Sequence, residues 1–226
     1  MIEKMDLPES IQKRGERLAE RIDFLGCNLN RFEKTGRTQL EVLIRHGLNP
    51  WSRLLDIGCG ALNGGYWMMH FLDPGCYFGI EPAKAMFEAG AAILPEPDLF
   101  KVKSPRFDHN DQYDFSVFGE KFDFFYAHSI WTHAPKKDLE KMLDGMVQFG
   151  RIGARFVTSI KTPDLIHRDY KGDVWVGESH ESNIKGIVRH SFKWIQRACA
   201  DRGLDVVLLK GEKIHKQKWI RIDKKF

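Results

Sequence analysis

The chain predicts an α/β fold, a mostly parallel sheet with helices on both faces, and three observations carry that prediction. Leu54, Leu55 and Ile57 form a short apolar run of the kind that fills a strand buried on both faces. The run then breaks into glycines at 58, 60, 64 and 65 and resumes as Tyr66-Trp-Met-Met-His-Phe-Leu72, an apolar segment of helical length. Cys76-Tyr-Phe-Gly-Ile-Glu-Pro82 repeats the strand pattern and ends on an acid. Strand, turn, helix, strand is the repeating unit of a parallel sheet.

Ahead of the first strand, Ile11, Leu18, Ile22 and Leu25 recur at helical spacing, with Lys13, Arg14, Arg17 and Arg21 largely on the wet side. Gly26 and Asn28 suggest the end of that helix. A second helix reads from about Thr38, with Leu40, Leu43 and Ile44 inward and Gly47 as its stop. Residues 1–50 are therefore expected to form an N-terminal helical cap packed on a domain of residues 51–226. Arg14 and Arg17 could reach a carboxylate, or simply form a solvent face.

Past Pro82, Ala83 to Ile93 reads as a helix ended by Pro95 and Pro97, and Leu99 to Lys103 as a short third strand. Ser104 to Glu120 is irregular and acidic, with Asp108, Asp111 and Asp114 among aromatic residues. Phe122 to Ala127 is a buried strand in which Asp123 reads as structural, and His128, Ser129, Trp131, Thr132 and His133 follow at its carboxyl end. Pro135 suits the first position of a helix, whose stripe of Leu139, Met142, Leu143, Met146 and Val147 reads as core. Arg155 to Lys161 is the fifth strand.

Residues 162–185 are too long and polar for a simple connection and carry His167, Arg168, Tyr170, Trp175, Glu178 and His180. Such a loop after a strand's carboxyl end is a natural substrate lid; a floppy insertion or a homodimer contact is the alternative. Ser191 can cap a helix from Phe192 to Asp201, ended by Gly203, and Leu204–Leu209 and Lys218–Ile222 would pair as the last strands. Lysines 216, 218, 224 and 225 read as charge protecting an edge strand.

The turn after the first strand carries the chemistry. Gly58 and Gly60 permit positive φ and let backbone N–H groups approach a ligand. Asp56 sits at the strand's carboxyl end, where ligands lie in open sheets, and Glu81 at the tip of the second strand is placed to accept bonds from ribose hydroxyls. A nucleoside-containing ligand across the first two strand ends follows, and the spacing Gly-x-Gly-x-x-x-Gly alone would equally suit a dinucleotide.

Leu54-Leu-Asp-Ile-Gly-Cys-Gly60 resembles the first motif of class I S-adenosylmethionine-dependent methyltransferases, and Phe78-Gly-Ile-Glu-Pro82 resembles their second. Phe122-Asp-Phe-Phe-Tyr-Ala-His-Ser-Ile-Trp-Thr-His-Ala-Pro135 looks like their fourth strand and the loop after it, so three matches fall in the family's order over about residues 51 to 135. The resemblance implies a Rossmann-like three-layer sandwich with a seven-stranded, mostly parallel sheet and an antiparallel last strand. It implies S-adenosylmethionine as cofactor, held by Asp56, Gly58, Cys59, Gly60, Glu81, Pro82, His128 and Ser129. An acid after the third strand would hold the adenine amino group beside an apolar neighbour; Asp114 with Phe115 is the candidate pair, in a segment that departs from the usual short form. Leader helices like those of residues 1–50 often cover the ligand in this family.

The acceptor is narrowed by absences. No Asn/Asp-Pro-Pro-Tyr/Phe motif and no Pro-Cys nucleophile follow the fourth strand. Ser129-Ile-Trp-Thr-His-Ala-Pro135 instead resembles members acting on small molecules or sugars. The resemblance thus implies methyl transfer to an oxygen or nitrogen of a small molecule or glycan precursor, with His133, or else His128, as general base; either ring could instead be structural. The alternatives are an NAD(P)-dependent oxidoreductase and an RNA- or nucleotide-modifying methyltransferase.

Composition bounds the rest. At 226 residues the chain can bury one full core. Its net charge of +4 is too small a surplus to require nucleic acid as partner. Cysteines 27, 59, 76 and 199 have neither CxxC nor zinc spacing, which points to reduced thiols and a cytoplasmic location. The first residues do not form a signal peptide, and no apolar run reaches membrane-spanning length.

Overall fold

The computed structural model describes residues 9–22, 29–179, 182–212, 214 and 216–225. The expectations for Leu25, Gly26, Cys27, Asn28 and His180 lie outside those residues.

Helix α1 spans Ile11–Ala19 and starts at Ser10, whose hydroxyl accepts the Lys13 N–H at 3.3 Å. Gly15 lies so close to the Phe32 ring that a Cβ there would fall 2.5 Å from it, which brings α1 flush onto the next helix. Arg14 is not on the wet side as expected, because its guanidinium reaches the Leu94 carbonyl at 2.6 Å and Glu96 at 3.0 Å. Helix α2 spans Phe32–Arg45, starting six residues ahead of Thr38 because fully buried Phe32 anchors its first turn. Its inward stripe runs through Gly36, Gln39, Val42 and Leu43, which leaves Ile44 42% exposed, contrary to expectation. Gly47 stops the chain at φ +101.

Seven strands form one sheet: β1 Leu54–Ile57, β2 Tyr77–Ile80, β3 Arg106–Asp108, β4 Phe122–Ala127, β5 Gly150–Ile160, β6 Leu204–Leu209 and β7 Lys218–Lys224. Their order is β3-β2-β1-β4-β5-β7-β6, with β7 antiparallel to both its neighbours and the other pairings parallel. This is the Rossmann-like α/β sheet expected, antiparallel last strand included. Lysines 218 and 224 nevertheless do not guard an edge, since β7 is interior and β6 is the edge. Their ammonium groups donate to Thr162 Oγ1 and to the Val147 and Gly150 carbonyls.

Side chains alternate across the sheet and so make two cores. Leu54, Phe124, Tyr126 and Val157 pack with α1, α2, helix α3 (Asn63–Phe71) and helix α4 (Lys84–Ile93). Leu55, Ile57, Phe125 and Phe156 pack with helix α6 (Lys136–Phe149) and helix α7 (Phe192–Ala200). On α6 Leu139, Met142, Leu143 and Met146 are buried as expected, whereas Val147 is 38% exposed. Pro135 is the residue before α6 rather than its first. Ser191 precedes α7 without a side-chain cap bond; its N–H donates to Asp169 Oδ1 at 2.7 Å.

The expected third strand at Leu99–Lys103 is instead a helix, α5. Its alternating pattern is too short to exclude a single helical turn, and docking decides the matter. Leu99 is buried, and Lys103 donates to the His70 and Leu72 carbonyls at the end of α3, where a cation is favoured. The third strand falls in the segment expected to be irregular, at Arg106–Asp108. Asp123 is structural as read: it accepts the Arg53 N–H at 2.9 Å and pairs with Arg151. Among the described residues no helix is long and apolar enough to cross a membrane.

Candidate active site

The sheet order reverses between β1 and β4, and a ligand crevice belongs outside the strand ends at that point. A cleft of about 800 Å³ lies there, within the usual range for small-ligand sites. It is lined by residues 56–61 at the end of β1 and in the turn after it, by Glu81 to Ala83 after β2, by His128 to Ile130 and His133 after β4, and by Trp175 and Glu178 of the long loop.

The glycine turn is rigid and its N–H groups are already bonded. Gly58 (φ +75) and Gly60 (φ +56) hold left-handed backbone, and a Cβ on Gly58 would fall 2.3 Å from Ile130 Cδ1. The Gly58 and Cys59 N–H groups donate to the Ile80 carbonyl at 2.8 and 3.0 Å. The Gly60 N–H donates to Glu81 Oε2 at 2.9 Å, and the Ala83 N–H to Glu81 Oε1 at 2.9 Å. The nearly buried Glu81 carboxylate is thus fixed by one backbone bond per oxygen, and each oxygen keeps accepting capacity.

Asp56 is 3% exposed and accepts the Tyr77 hydroxyl at 2.7 Å. Burial pushes its carboxyl up to about 7; the Tyr77 bond opposes that rise and nearby Glu81 adds to it. A folded-state acid raised in this way binds a proton that the unfolded chain has already lost. Stability is therefore withdrawn as pH climbs from the ordinary carboxylate range to about 7. The slope is at most one proton's worth, ~1.4 kcal/mol per pH unit. Asp56→Asn is expected to flatten the fall in the ligand-free unfolding midpoint over that window, as measured by calorimetry. An equal fall in both proteins would contradict the assignment.

The loop after β4 is held at every polar atom of Ser129, which sits at φ +61. Its N–H donates to Ser159 Oγ at 2.9 Å, its hydroxyl accepts from Gln217 at 2.8 Å, and its carbonyl accepts from Thr132 at 2.9 Å. Left-handed backbone at a non-glycine residue is kept only where its surroundings over-determine it. The His128 ring stacks on Trp219, with centroids 5.4 Å apart.

His133 is half-buried, and its Nδ1 lies 2.6 Å from the Val176 carbonyl. A carbonyl only accepts, so Nδ1 carries the proton and Nε2 carries the lone pair. Burial holds the ring's pKa below its ordinary value, partly offset by the Val176 bond, so the ring is neutral at pH 7. Such a ring can take a proton at Nε2. The Trp175 indole stacks on it at 5.7 Å, and the Trp175 Nε1–H is buried without a hydrogen-bond acceptor among the described residues.

Of the residues expected at the site, Asp56, Gly58, Cys59, Gly60, Glu81, Pro82, His128, Ser129 and His133 line this one cleft. Asp114 and Phe115 do not. The Asp114 carboxylate folds back onto the Ser116 N–H and hydroxyl, and Phe115 is fully buried in the core against Phe125 and Phe149. The pair Asp114, Ser116 has the look of a local cap, a signal available in the chain. The cleft wall in that segment is made by Asn110, Asp111 and Tyr113. Arg17 pairs with Glu9 and, like Arg14, does not line the cleft; Arg21, just past α1, does. It is the one Arg or Lys among the described residues lining the cleft. Gln39 reaches the cleft from α2 and accepts the Tyr126 hydroxyl at 3.0 Å, a role with no local signature.

No protein-family model and no curated protein sequence matches this chain. Solved structures do match its fold. DesVI from Streptomyces venezuelae is similar at TM-score 0.64 and 17% identity, over 88% of this chain and 94% of that one. The sugar N-methyltransferase KedS8 from Streptoalloteichus sp ATCC 53650 is similar at TM-score 0.62 and 15% identity, over 98% and 95%. The magnesium protoporphyrin IX methyltransferase ChlM from Synechocystis PCC 6803, solved with bound SAM, is similar at TM-score 0.62 and 13% identity, over 97% and 100%. The chain therefore has a fold found in methyltransferases, and it spans nearly their whole length.

Proposed function

We propose that this protein is an S-adenosylmethionine-dependent methyltransferase acting on an oxygen or nitrogen of a small, hydroxyl-rich molecule such as a sugar or glycan precursor. The observation that carries the reading is the acidic, pre-bonded turn. The Gly58, Cys59 and Gly60 N–H groups are taken by protein oxygens, one of them a Glu81 carboxylate oxygen. That arrangement repels a pyrophosphate and suits a cationic sulfonium ligand whose ribose hydroxyls bond Glu81. Two of the solved structures reported above support it by their descriptions, one a sugar N-methyltransferase and the other a magnesium protoporphyrin IX methyltransferase with bound SAM.

Asp56, Glu81 and Pro82, with the loop 58–60, would hold the cofactor, and Ser129 and His128 would wall its methyl end. Asp111 or Asn110 would take the adenine role expected of Asp114, and Arg21, at the cleft from the N-terminal cap, would pair with the methionine carboxylate. When bound, the cofactor supplies an electrophilic methyl whose S–C bond breaks as the acceptor's O–C or N–C bond forms. His133 Nε2 takes the proton that the acceptor atom loses. The lid, residues 162–185, would exclude water, and its Trp175 lines the cleft beside His133, where the indole would meet the acceptor. Alignment alone can supply several kcal/mol, on the order of 7 to 11 at best. The free thiols Cys59, Cys76 and Cys199 fit a reducing compartment such as the cytoplasm.

The test is transfer of a tritiated methyl group from S-adenosylmethionine to a panel of monosaccharides, nucleotide sugars, amino sugars, phenols and short RNAs. Label in a sugar or small hydroxyl compound is expected. Label confined to RNA would move the acceptor class to nucleic acid.

A further inference from the structure

We infer that the lid residues Trp175, Val176 and Gly177 are positioning residues that set the His133 tautomer, so that Nε2 is a base only while the lid is docked. This rests on the reading of His133 as the proton acceptor.

Three consecutive lid residues grip one ring. The Val176 N–H donates to the His133 carbonyl at 3.0 Å while the Val176 carbonyl accepts from His133 Nδ1 at 2.6 Å, a reciprocal clasp between two residues 43 apart in sequence. Trp175 covers the ring face, its plane within 19° of the imidazole. Gly177 packs against the ring edge: a Cβ there would stand 2.2 Å from Nδ1 and 2.8 Å from Cε1. Gly177 is also at φ +128, where a side chain is strained whatever the space, so the position requires glycine twice over. Its N–H donates to the Ile184 carbonyl at 2.7 Å, and Glu178 and Ser179 directly after it line the cleft.

The consequence is chemical. An unconstrained neutral imidazole distributes its proton between two nitrogens, and only the species with a free Nε2 lone pair can accept a proton there. The Val176 carbonyl removes the other species by accepting from Nδ1–H. The same peptide that closes the lid therefore switches on the base, and with the lid undocked the ring loses its fixed tautomer.

The experiment uses the full chain with nitrogen-15-labelled histidine. Long-range nitrogen–proton spectra at pH about 8 report each ring's tautomer, and His133→Ala identifies the His133 signals. In the wild type, His133 is expected as the Nδ1–H tautomer. In Gly177→Ala the ring should move to a mixture, and turnover on the acceptor found by methyl labelling should fall roughly 10²-fold. The S-adenosylhomocysteine dissociation constant should stay within about threefold, because the variant leaves the glycine turn and Glu81 alone. An Nε2–H tautomer in the wild type overturns the inference by itself, even if Gly177→Ala does not fold. A folded Gly177→Ala that keeps both the wild-type tautomer and turnover also overturns it. Failure of the wild type to bind S-adenosylhomocysteine, with the Nδ1–H tautomer present, overturns instead the methyltransferase reading on which the base role depends.

Discussion

Glu81→Ala is expected to weaken binding of S-adenosylmethionine and S-adenosylhomocysteine by about a hundredfold or more. Hydrogen bonds to a charged partner contribute about 1.5–3 kcal/mol each, and two ribose hydroxyls have a carboxylate oxygen each to bond. Every ~1.4 kcal/mol is a factor of ten. The substitution also releases the Gly60 and Ala83 N–H groups that the carboxylate holds at 2.9 Å, so the turn loses its shape together with the ligand contact. Glu81→Gln separates the two effects. The amide oxygen can still accept one backbone bond, but its nitrogen faces a backbone donor, and an intermediate loss follows. Calorimetric titration with S-adenosylhomocysteine measures both variants. A dissociation constant unchanged in Glu81→Ala would remove the ribose role.

His133→Ala is expected to lower turnover by roughly 10² to 10⁴, the span that general base catalysis contributes, while the cofactor dissociation constant moves little. The ring touches Trp175 and Val176 of the loop after β5 and lines the cleft, and none of its bonds goes to the glycine turn. Binding therefore survives and proton removal does not. For an oxygen acceptor the loss should shrink as pH rises, since hydroxide progressively replaces the missing base. A parallel loss of turnover and cofactor affinity would make the ring structural. His128→Ala should behave differently, because that ring is stacked on Trp219 and supports the wall of the cleft rather than the clasp.

The chain made the center of this architecture legible and its margins less so. Leu54 to Gly60 and Phe78 to Pro82 announce themselves because a strand buried on both faces and a turn needing left-handed backbone each demand particular residues locally. The helix at Leu99–Lys103 was opaque for the opposite reason: five residues specify neither period, and the carbonyls at the end of α3 that take the Lys103 ammonium lie outside the segment. Ile44 misleads in the same way, since the inward face of α2 is chosen by the close approach of Gly36 to Asn63, which a helical wheel does not contain. At the site, Asp114 carried the expected residue type at nearly the expected place, yet its carboxylate is consumed by Ser116 two residues on. Arg21, Gln39 and Trp175 come from elements far from the motifs, so only the assembled sheet brings them to the cleft. His133 was legible as a candidate by residue type and loop; its tautomer depends on the carbonyl of Val176 and could only be read in three dimensions.

The central claim is that the acidic glycine turn holds a sulfonium nucleoside rather than a dinucleotide. It is tested most directly by the thermal unfolding midpoint of the purified protein with S-adenosylmethionine, S-adenosylhomocysteine, NADH and NADPH in turn. A ligand that binds the native state raises the midpoint by mass action, by about 2.7 kcal/mol of added stability at a hundred times its dissociation constant. A rise with the two adenosyl ligands and none with the nicotinamide cofactors is the predicted result. A rise with NADH or NADPH alone would contradict it and move the chemistry at this cleft to hydride transfer.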